Sequence, residues 1–463
     1  MALCSRNEFL GGGESVVMLV PQESVNKIQR IPSFLRGSNS NGDYDPKVIS
    51  LGPYHHGKPE LQPLQRFKHK VFDNFIFGSP KDANFYRKKV LEVVDEARRC
   101  YVEGATDEFD DSQFAEMMLL DSCFLLFYIL STMHGFKDFW NLTTVQLSDQ
   151  IGYSGDFFLQ LDTFLLENQI PLWIVEFLFN ARFGSFSTTT TGRVSWKYLL
   201  VNHCQTSLFA EKYRVDEDRR DHEKPLHLLE AFHMHMVGKC EMLSSSNKSA
   251  GRWQKLRPIR TNNTLIVLQK EAFEKYSYIF RSVMDLKSKG IRFGHSDNIY
   301  SVMSIKFESY YVFAKLKLPI WYASSSSRVF LSNMIAYELC PNNRTCLEVT
   351  SYINFMKSLI VCPNDVKELR EKRIISNTLG DDMEVVKLFK GLNTHGIDNP
   401  DIFSEVKQKL QKHYDSRAKT WMAEFVYTYL ISPWSIIALL SAFLLLLLTS
   451  AQTYVAFNPS KKD

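Results

Sequence analysis

Two adjacent histidines stand in a short turn bracketed by glycines, Gly52-Pro53-Tyr54-His55-His56-Gly57. Paired imidazoles suit metal ligation or proton transfer near neutral pH. The same residues also read as a local turn, with Tyr54 packed and both imidazoles hydrogen-bonded, and that reading is favoured. Asp121 is a lone carboxylate inside the apolar run MMLLDSCFLL, where Lys68 or His56 would serve as its partner. Glu167, Asn168 and Gln169 interrupt the run LQLDTFLLENQIPLWIVEFLF just before Pro171. Polar side chains in a core-forming run need hydrogen-bond partners. Glu167 would serve as a catalytic carboxylate with a raised pKa. The favoured alternative ties the trio to the backbone of an extended strip, or makes it a helix break before Pro171. If His55, His56, Asp121 and Glu167 meet in one cleft, they form the site of a membrane-bound enzyme.

Other patterns fall short of known chemistry. His222-Glu223 lacks the H-E-x-x-H spacing of a zinc protease, because the next histidine, His227, lies beyond Pro225. His227, His233 and His235 lack a fourth ligand and read as partly exposed positions on an amphipathic helix. Gly152-Tyr153-Ser154-Gly155 is one residue short of G-x-S-x-G, and Gly11-Gly12-Gly13 lacks the Lys-Ser/Thr end of a P-loop, so both read as loop glycines. No cofactor is implied, and neither a catalytic nor a metal-ligating set is assigned. The eight cysteines are dispersed without C-x-x-C pairs. Cys340 and Cys346 flank PNNRT and would close a small loop in an oxidising compartment. Asn141, Asn247, Asn262 and Asn343 open N-x-S/T sequons.

The elements that must carry these residues are mainly helical. The 463 residues contain 45% hydrophobic and 23% charged residues, ordinary globular usage that excludes a disordered chain or a polytopic transporter. A net charge of +4 is too balanced for a dedicated nucleic-acid binder. Apolar spacing predicts helices over 61–77, 114–133 and 157–183. Ser79-Pro80 reads as a helix start with the helix continuing over 86–101, and further helices follow at 328–340, 348–361, 364–373 and 382–391. A short strand is expected at 47–51, and a β-hairpin where 299–308 and 311–319 alternate. The Ser/Thr-rich segment 185–191 and the charged segment 211–224 read as loops suited to partner contacts.

The tail is the strongest physical signal. No charged residue occurs from Phe425 to Ser460. Residues 434–457 would span about 36 Å as a helix, enough for a hydrocarbon core of about 30 Å. Aromatic residues flank the leucine-rich centre on both sides, as interfacial belts do. The expected organisation is a flexible lead-in (1–30), one large helical domain with a minor β-hairpin (31–400), and a juxtamembrane stalk helix (401–432). A single transmembrane helix (433–457) and a short tail (458–463) follow. The N-terminus reads as too interrupted for a signal peptide, so the body is expected in the cytosol.

Several ordered motifs resemble one family, the plant membrane-protein family known as domain of unknown function 247. They are IPSFLR (31–36), YDPKVISLGPYHHGKPEL (44–61), MMLLDSCFLL (117–126), LLENQIPLW (165–173), LKSKGIRF (286–293), LSNMIAYELC (331–340) and VTSYINFMKSLI (349–360). The leucine-rich span completes the set. The chain departs from the usual pattern at Leu64-Gln65, where the family carries Met-Glu, while Lys68 is kept. The resemblance implies a plant protein with a helical body and a C-terminal single pass. It brings no established enzyme activity or cofactor. Some relatives are linked to self-incompatibility loci in grasses, which points to recognition or signalling with a protein partner.

Overall fold

The computed structural model describes residues 18, 27–37, 42–133, 136–184, 187–189, 192–208, 224–238, 281–298, 301–310, 313–341, 343, 345–416 and 433–457. The chain is mainly α-helical with a small β component. Its central element is α5 (Asp111–Ser131), opened by a capping box in which Asp110 and Gln113 satisfy each other's backbone N–H groups. This helix is apolar all round because it is enclosed all round. Helices α2 (Gln62–Ile76), α3 (Ala83–Leu91) and α7 (Leu172–Phe183) pack against it. Its apolar stretch is long enough to cross a membrane but is 89% buried, which identifies it as a core helix.

The start expected at Ser79-Pro80 lies instead at Asp82, whose carboxylate accepts the Phe85 N–H. The helix expected over 86–101 is divided between α3 and α4 (Val94–Arg99). The run 157–183 is likewise broken. It ends α6 (Lys137–Asp162), turns through 163–171, and restarts as α7. Gly152 adopts φ 65° and ψ 177° inside α6, so the Gly-Tyr-Ser-Gly stretch lies at a helix kink rather than in a loop.

Two more helices, α8 (Trp196–Leu208) and α9 (Leu228–Val237), follow, packed on each other. The segment expected as a loop at 185–191 contains strand β1 (Ser187–Thr189), antiparallel to β2 (Gly192–Val194). After α10 (Val283–Ser288) comes a three-stranded sheet of β3 (Ile291–His295), β4 (Lys306–Ser309) and β5 (Ala314–Leu318), in the order β3-β5-β4. The β4–β5 pair is the expected hairpin, with Phe307 opposite Leu316, while β3 joins β5 in parallel. The first hairpin strand is shorter than expected because Ser301 and Ser304 draw the preceding segment into a turn. The Ser301 hydroxyl donates to the Val237 carbonyl, and that of Ser304 to the Ser301 carbonyl.

Strands β6 (Trp321–Ala323) and β7 (Ile375–Asn377) pair in parallel. Helices α11 (Ser327–Leu339), α12 (Glu348–Leu359), α13 (Pro363–Glu371) and α14 (Asp382–Gly391) match the expected series. One contiguous set of buried apolar side chains runs from Ile28 to Phe403. Helix α15 (Ser404–Tyr414) lies against β4 with His413 buried. Helix α16 (Pro433–Phe457) opens on its proline and exposes Leu440 and the five leucines Leu444 to Leu448.

Candidate functional site

Residues 28–37 and 42–57 form a strip laid across the helical body, extended apart from the short helix α1 (Ser33–Gly37). The strand expected at 47–51 is absent, because its N–H groups donate to side chains rather than to a neighbouring strand. Asp162, at the end of α6, accepts from Lys47, Val48 and Ile49 at 3.0, 2.6 and 3.0 Å. Burial outweighs these bonds and lifts the Asp162 carboxyl to about 6. Asn168 accepts the Leu51 N–H at 2.6 Å and donates to the Ile49 carbonyl. Asp121 accepts the Gly52 N–H at 2.7 Å and pairs with Lys68, whose ammonium also donates to the Ser50 carbonyl. Gln65, the departure from the family pattern, accepts a further bond from Lys68. Gln169 donates to the Thr163 and Leu165 carbonyls and accepts the Leu229 N–H, which holds the 163–171 turn before Pro171 begins α7.

The strip begins with Ile28 and Gln29, both buried; Ile28 bridges to Tyr101. Glu167 accepts the Ile31 N–H at 2.7 Å and a bond from Arg36 Nη2 at 2.6 Å. Arg36 Nη1 reaches Asp45 at 3.1 Å, so one guanidinium engages both carboxylates. Tyr54 is packed as expected, its hydroxyl donating to the Ile28 carbonyl. The imidazoles depart from expectation. His55 is 3% exposed, and neither of its ring nitrogens makes a hydrogen bond. Its Nε2 stands 3.5 Å from Glu167 Oε2. Burial, then the charge of Lys58, drives the His55 pKa down to about 4. His56 packs edge-on to Phe109.

A cleft of about 380 Å³ opens beside this turn, lined by Arg30, Arg36, Asp45, His55, Lys58 and Glu167 among others. The four residues considered together in the sequence therefore separate into two centres. His55 and Glu167 reach the cleft. Asp121 is fully enclosed with Lys68 and does not line it. Asp162 and the cleft cations Arg30, Arg36 and Lys58 were not singled out from the sequence. Arg36 and Lys58 stand inside the IPSFLR and HHGKPEL motifs, which was the available signal.

Residues 28–448 match a family described as plant protein of unknown function, domain of unknown function 247. The chain belongs to this family. Two UPF0481 proteins of Arabidopsis thaliana are similar along nearly their whole length. One is 27% identical over 470 residues, covering 97% of this chain and 90% of the relative. The other is 22% identical over 505 residues, covering 94% and 90%. No solved structure matches the chain.

The family domain holds one further polar cluster. His233, Glu338 and Glu348 bring ligand-type atoms within 4.8 Å of one another, all buried. Glu338 accepts from His233 Nε2 at 2.7 Å and from the Val349 and Thr350 N–H groups. Against the downward pull of burial, the Glu338 hydrogen bond and the charges of Glu338 and Glu348 raise the His233 pKa. Glu338 and Glu348 thus both stand beside His233, at 2.7 and 4.0 Å from its Nε2. His227 and His235 are also buried, so the expectation of partly exposed histidines on α9 is corrected. His227 instead caps α9 by accepting the Glu230 N–H.

Cys340 and Cys346 are both free thiols. The Asn343 amide donates to the Tyr337 carbonyl at 2.6 Å and its Oδ1 accepts from Gln29. Asn141 lies within α6. Asn247, Asn262, His222-Glu223 and Gly11 to Gly13 lie outside the described residues, as does 211–223.

Proposed function

We propose that this family member is a membrane-anchored binding protein whose helical body engages a protein partner. The observation that carries the anchor is the contrast between its two long apolar helices. The apolar window of α5 is 89% buried in the body, whereas none of the window Ile437–Tyr454 of α16 is buried. A helix with this composition and full exposure needs a nonpolar surrounding. Binding is favoured over catalysis because Asp121, Asp162 and Glu167 spend their oxygens on backbone amides, Lys68 and Arg36.

Fractionation of plant microsomes tests the anchor. The full chain is expected to stay with the membrane at alkaline pH, and a chain lacking 433–457 to move to the supernatant. Release of the full chain by alkaline carbonate would overturn the reading. Protease digestion of intact vesicles then reads sidedness, with the body expected to be cleaved from the cytosolic face.

A second reading, a membrane-bound enzyme, draws on the pairing of His55 with Glu167 at the cleft. Glu167→Gln separates the two. A folded variant that loses function while keeping partner binding would favour the enzyme.

A further inference from the structure

The cleft beside the His55 turn has more positive charge than its own carboxylates neutralise. Arg36 engages both Asp45 and Glu167. Arg30 and Lys58 line the same cleft, and among the described residues neither has a carboxylate partner. The Arg30 guanidinium is held over the Tyr54 ring at 4.7 Å, which orients it. Between these cations sits His55, 97% enclosed and without a hydrogen bond at either ring nitrogen. A buried polar side chain without a partner carries a desolvation cost that a ligand in the cleft would relieve.

We propose that this cleft binds the phosphate group of a small phosphate monoester, held by Arg30, Arg36, Lys58 and His55. Three cations against two carboxylates leave the cleft with a net positive charge of one, and a phosphate monoester offers three terminal oxygens to the Arg30, Lys58 and His55 donors, whereas a carboxylate offers two. Arg36 is already pinned by Asp45 and Glu167, so its fork is fixed before the ligand arrives. The Glu167 oxygens are engaged by the Ile31 N–H and Arg36, while Arg30 and Lys58 supply the positive charge that outweighs the second carboxylate. A volume of about 380 Å³ accommodates a small ester beside the phosphate. Ile31 and the Tyr54 ring offer it apolar contact. Burial, then the charges of Lys58, Arg36 and Arg30, now disfavour the imidazolium of His55, and a bound anion would oppose them.

The test uses the full chain in phosphatidylcholine nanodiscs and glycerol 3-phosphate as probe. A saturable rise in unfolding temperature is expected, together with broadening of the probe's phosphorus resonance. Apparent affinity should fall at least about tenfold in Lys58→Met and in Arg30→Met. It should stay unchanged in Lys70→Met, which lies at a separate cleft. Adding phosphatidic acid to the nanodisc distinguishes sources of the same group. Competition with the soluble probe assigns a lipid headgroup, and its absence assigns a soluble ester. The proposal is overturned if no saturable change occurs, if sodium chloride at equal ionic strength gives the same change, or if both cleft variants bind as the wild type does. Should a variant unfold, line broadening by Lys58→Gln gives the same decision. Membrane association is read on the same samples, so failure here is distinguishable from failure of the anchor.

Discussion

The Lys68 ammonium lies 2.5 Å from Asp121 Oδ1, and neither side chain is reached by solvent. Taking both charges out of water costs several kcal/mol per ion, so the pair alone is weak evidence of stabilisation. What it contributes is position. The ammonium also donates to the Ser50 carbonyl, and the second carboxylate oxygen accepts the Gly52 N–H. A helix residue on α2 and one on α5 thus clamp consecutive parts of the strip. Burial pulls the Lys68 pKa down while the charge of Asp121 and its hydrogen bond oppose the shift.

Removing one partner should therefore cost more than removing both would suggest. Lys68→Met leaves a buried carboxylate and is expected to lower stability by about 3–5 kcal/mol. Asp121→Asn strands the ammonium at similar cost. The double variant should fall well short of the summed losses. Denaturant titration of the four proteins gives the coupling, and strictly additive losses would contradict the clamp.

Gly52 and Gly57 bracket the histidine turn at φ +74° and +82°, but their surroundings differ. A Cβ at Gly52 would stand 2.7 Å from the Gln169 carbonyl oxygen and 3.0 Å from the Tyr101 hydroxyl, while one at Gly57 meets nothing within 4 Å. Gly57→Ala should cost about 1–2 kcal/mol, the backbone term alone. Gly52→Ala adds a clash with backbone and should lose about 1–3 kcal/mol more. Equal losses in parallel thermal melts would place the Gly52 backbone away from Gln169.

Helices were the legible part of the fold. The 3.6-residue spacing of α2 and the unbroken apolar length of α5 follow directly from burial on one face or on all faces. The strip was legible in its tie to Glu167 and Asn168 but not in its lack of a strand, and the reason is physical. Val48 to Leu51 has the composition of a strand, but its N–H groups are satisfied by Asp162 and Asn168 from more than a hundred residues away. A carboxylate at a helix end looks the same in sequence whether it faces water or three amides. The parallel β3–β5 pairing was hidden likewise, since only the local β4–β5 hairpin leaves a signal in spacing. At the cleft, the His55 turn stood out, but Arg30 and Lys58 look like any solvated charge until the strip is laid on the body.

Buried histidines give the stability a pH dependence with a definite sign. Burial drives His203 and His227 down to about 4. Between about pH 6.5 and 4 the unfolded chain binds protons that these folded imidazoles refuse, so stability falls as pH falls through that window. His233 acts oppositely. Its raised pKa stabilises the fold fully below about pH 6.5, and that contribution is lost as pH rises through the folded value. His203→Phe, which keeps a ring against Phe164, should flatten the acid-side loss, and His233→Gln should remove the alkaline-side one. Melting temperatures from pH 4 to 8 check both. A steeper acid loss in His203→Phe would overturn the assignment.

Asn343 forms the sequon Asn-Arg-Thr, yet its amide is already in use. Nδ2 donates to the Tyr337 carbonyl at the end of α11, and Oδ1 accepts from Gln29 at 3.0 Å. Gln29 itself is buried and also donates to the Pro341 carbonyl, so the side chain joins the start of the strip to the segment after α11. A glycan on Nδ2 would have to be seated between the Tyr337 carbonyl and Gln29, which pushes the strip outward. The folded protein is therefore expected to carry an unmodified Asn343 on either side of a membrane. Asn343→Ala should lower stability by about 1–2 kcal/mol, the cost of leaving buried partners unsatisfied. Mass spectrometry of the Asn343 peptide from plant membranes decides the matter. A stoichiometric glycan there, in protein that still unfolds cooperatively, would mean that the strip is not anchored through Gln29.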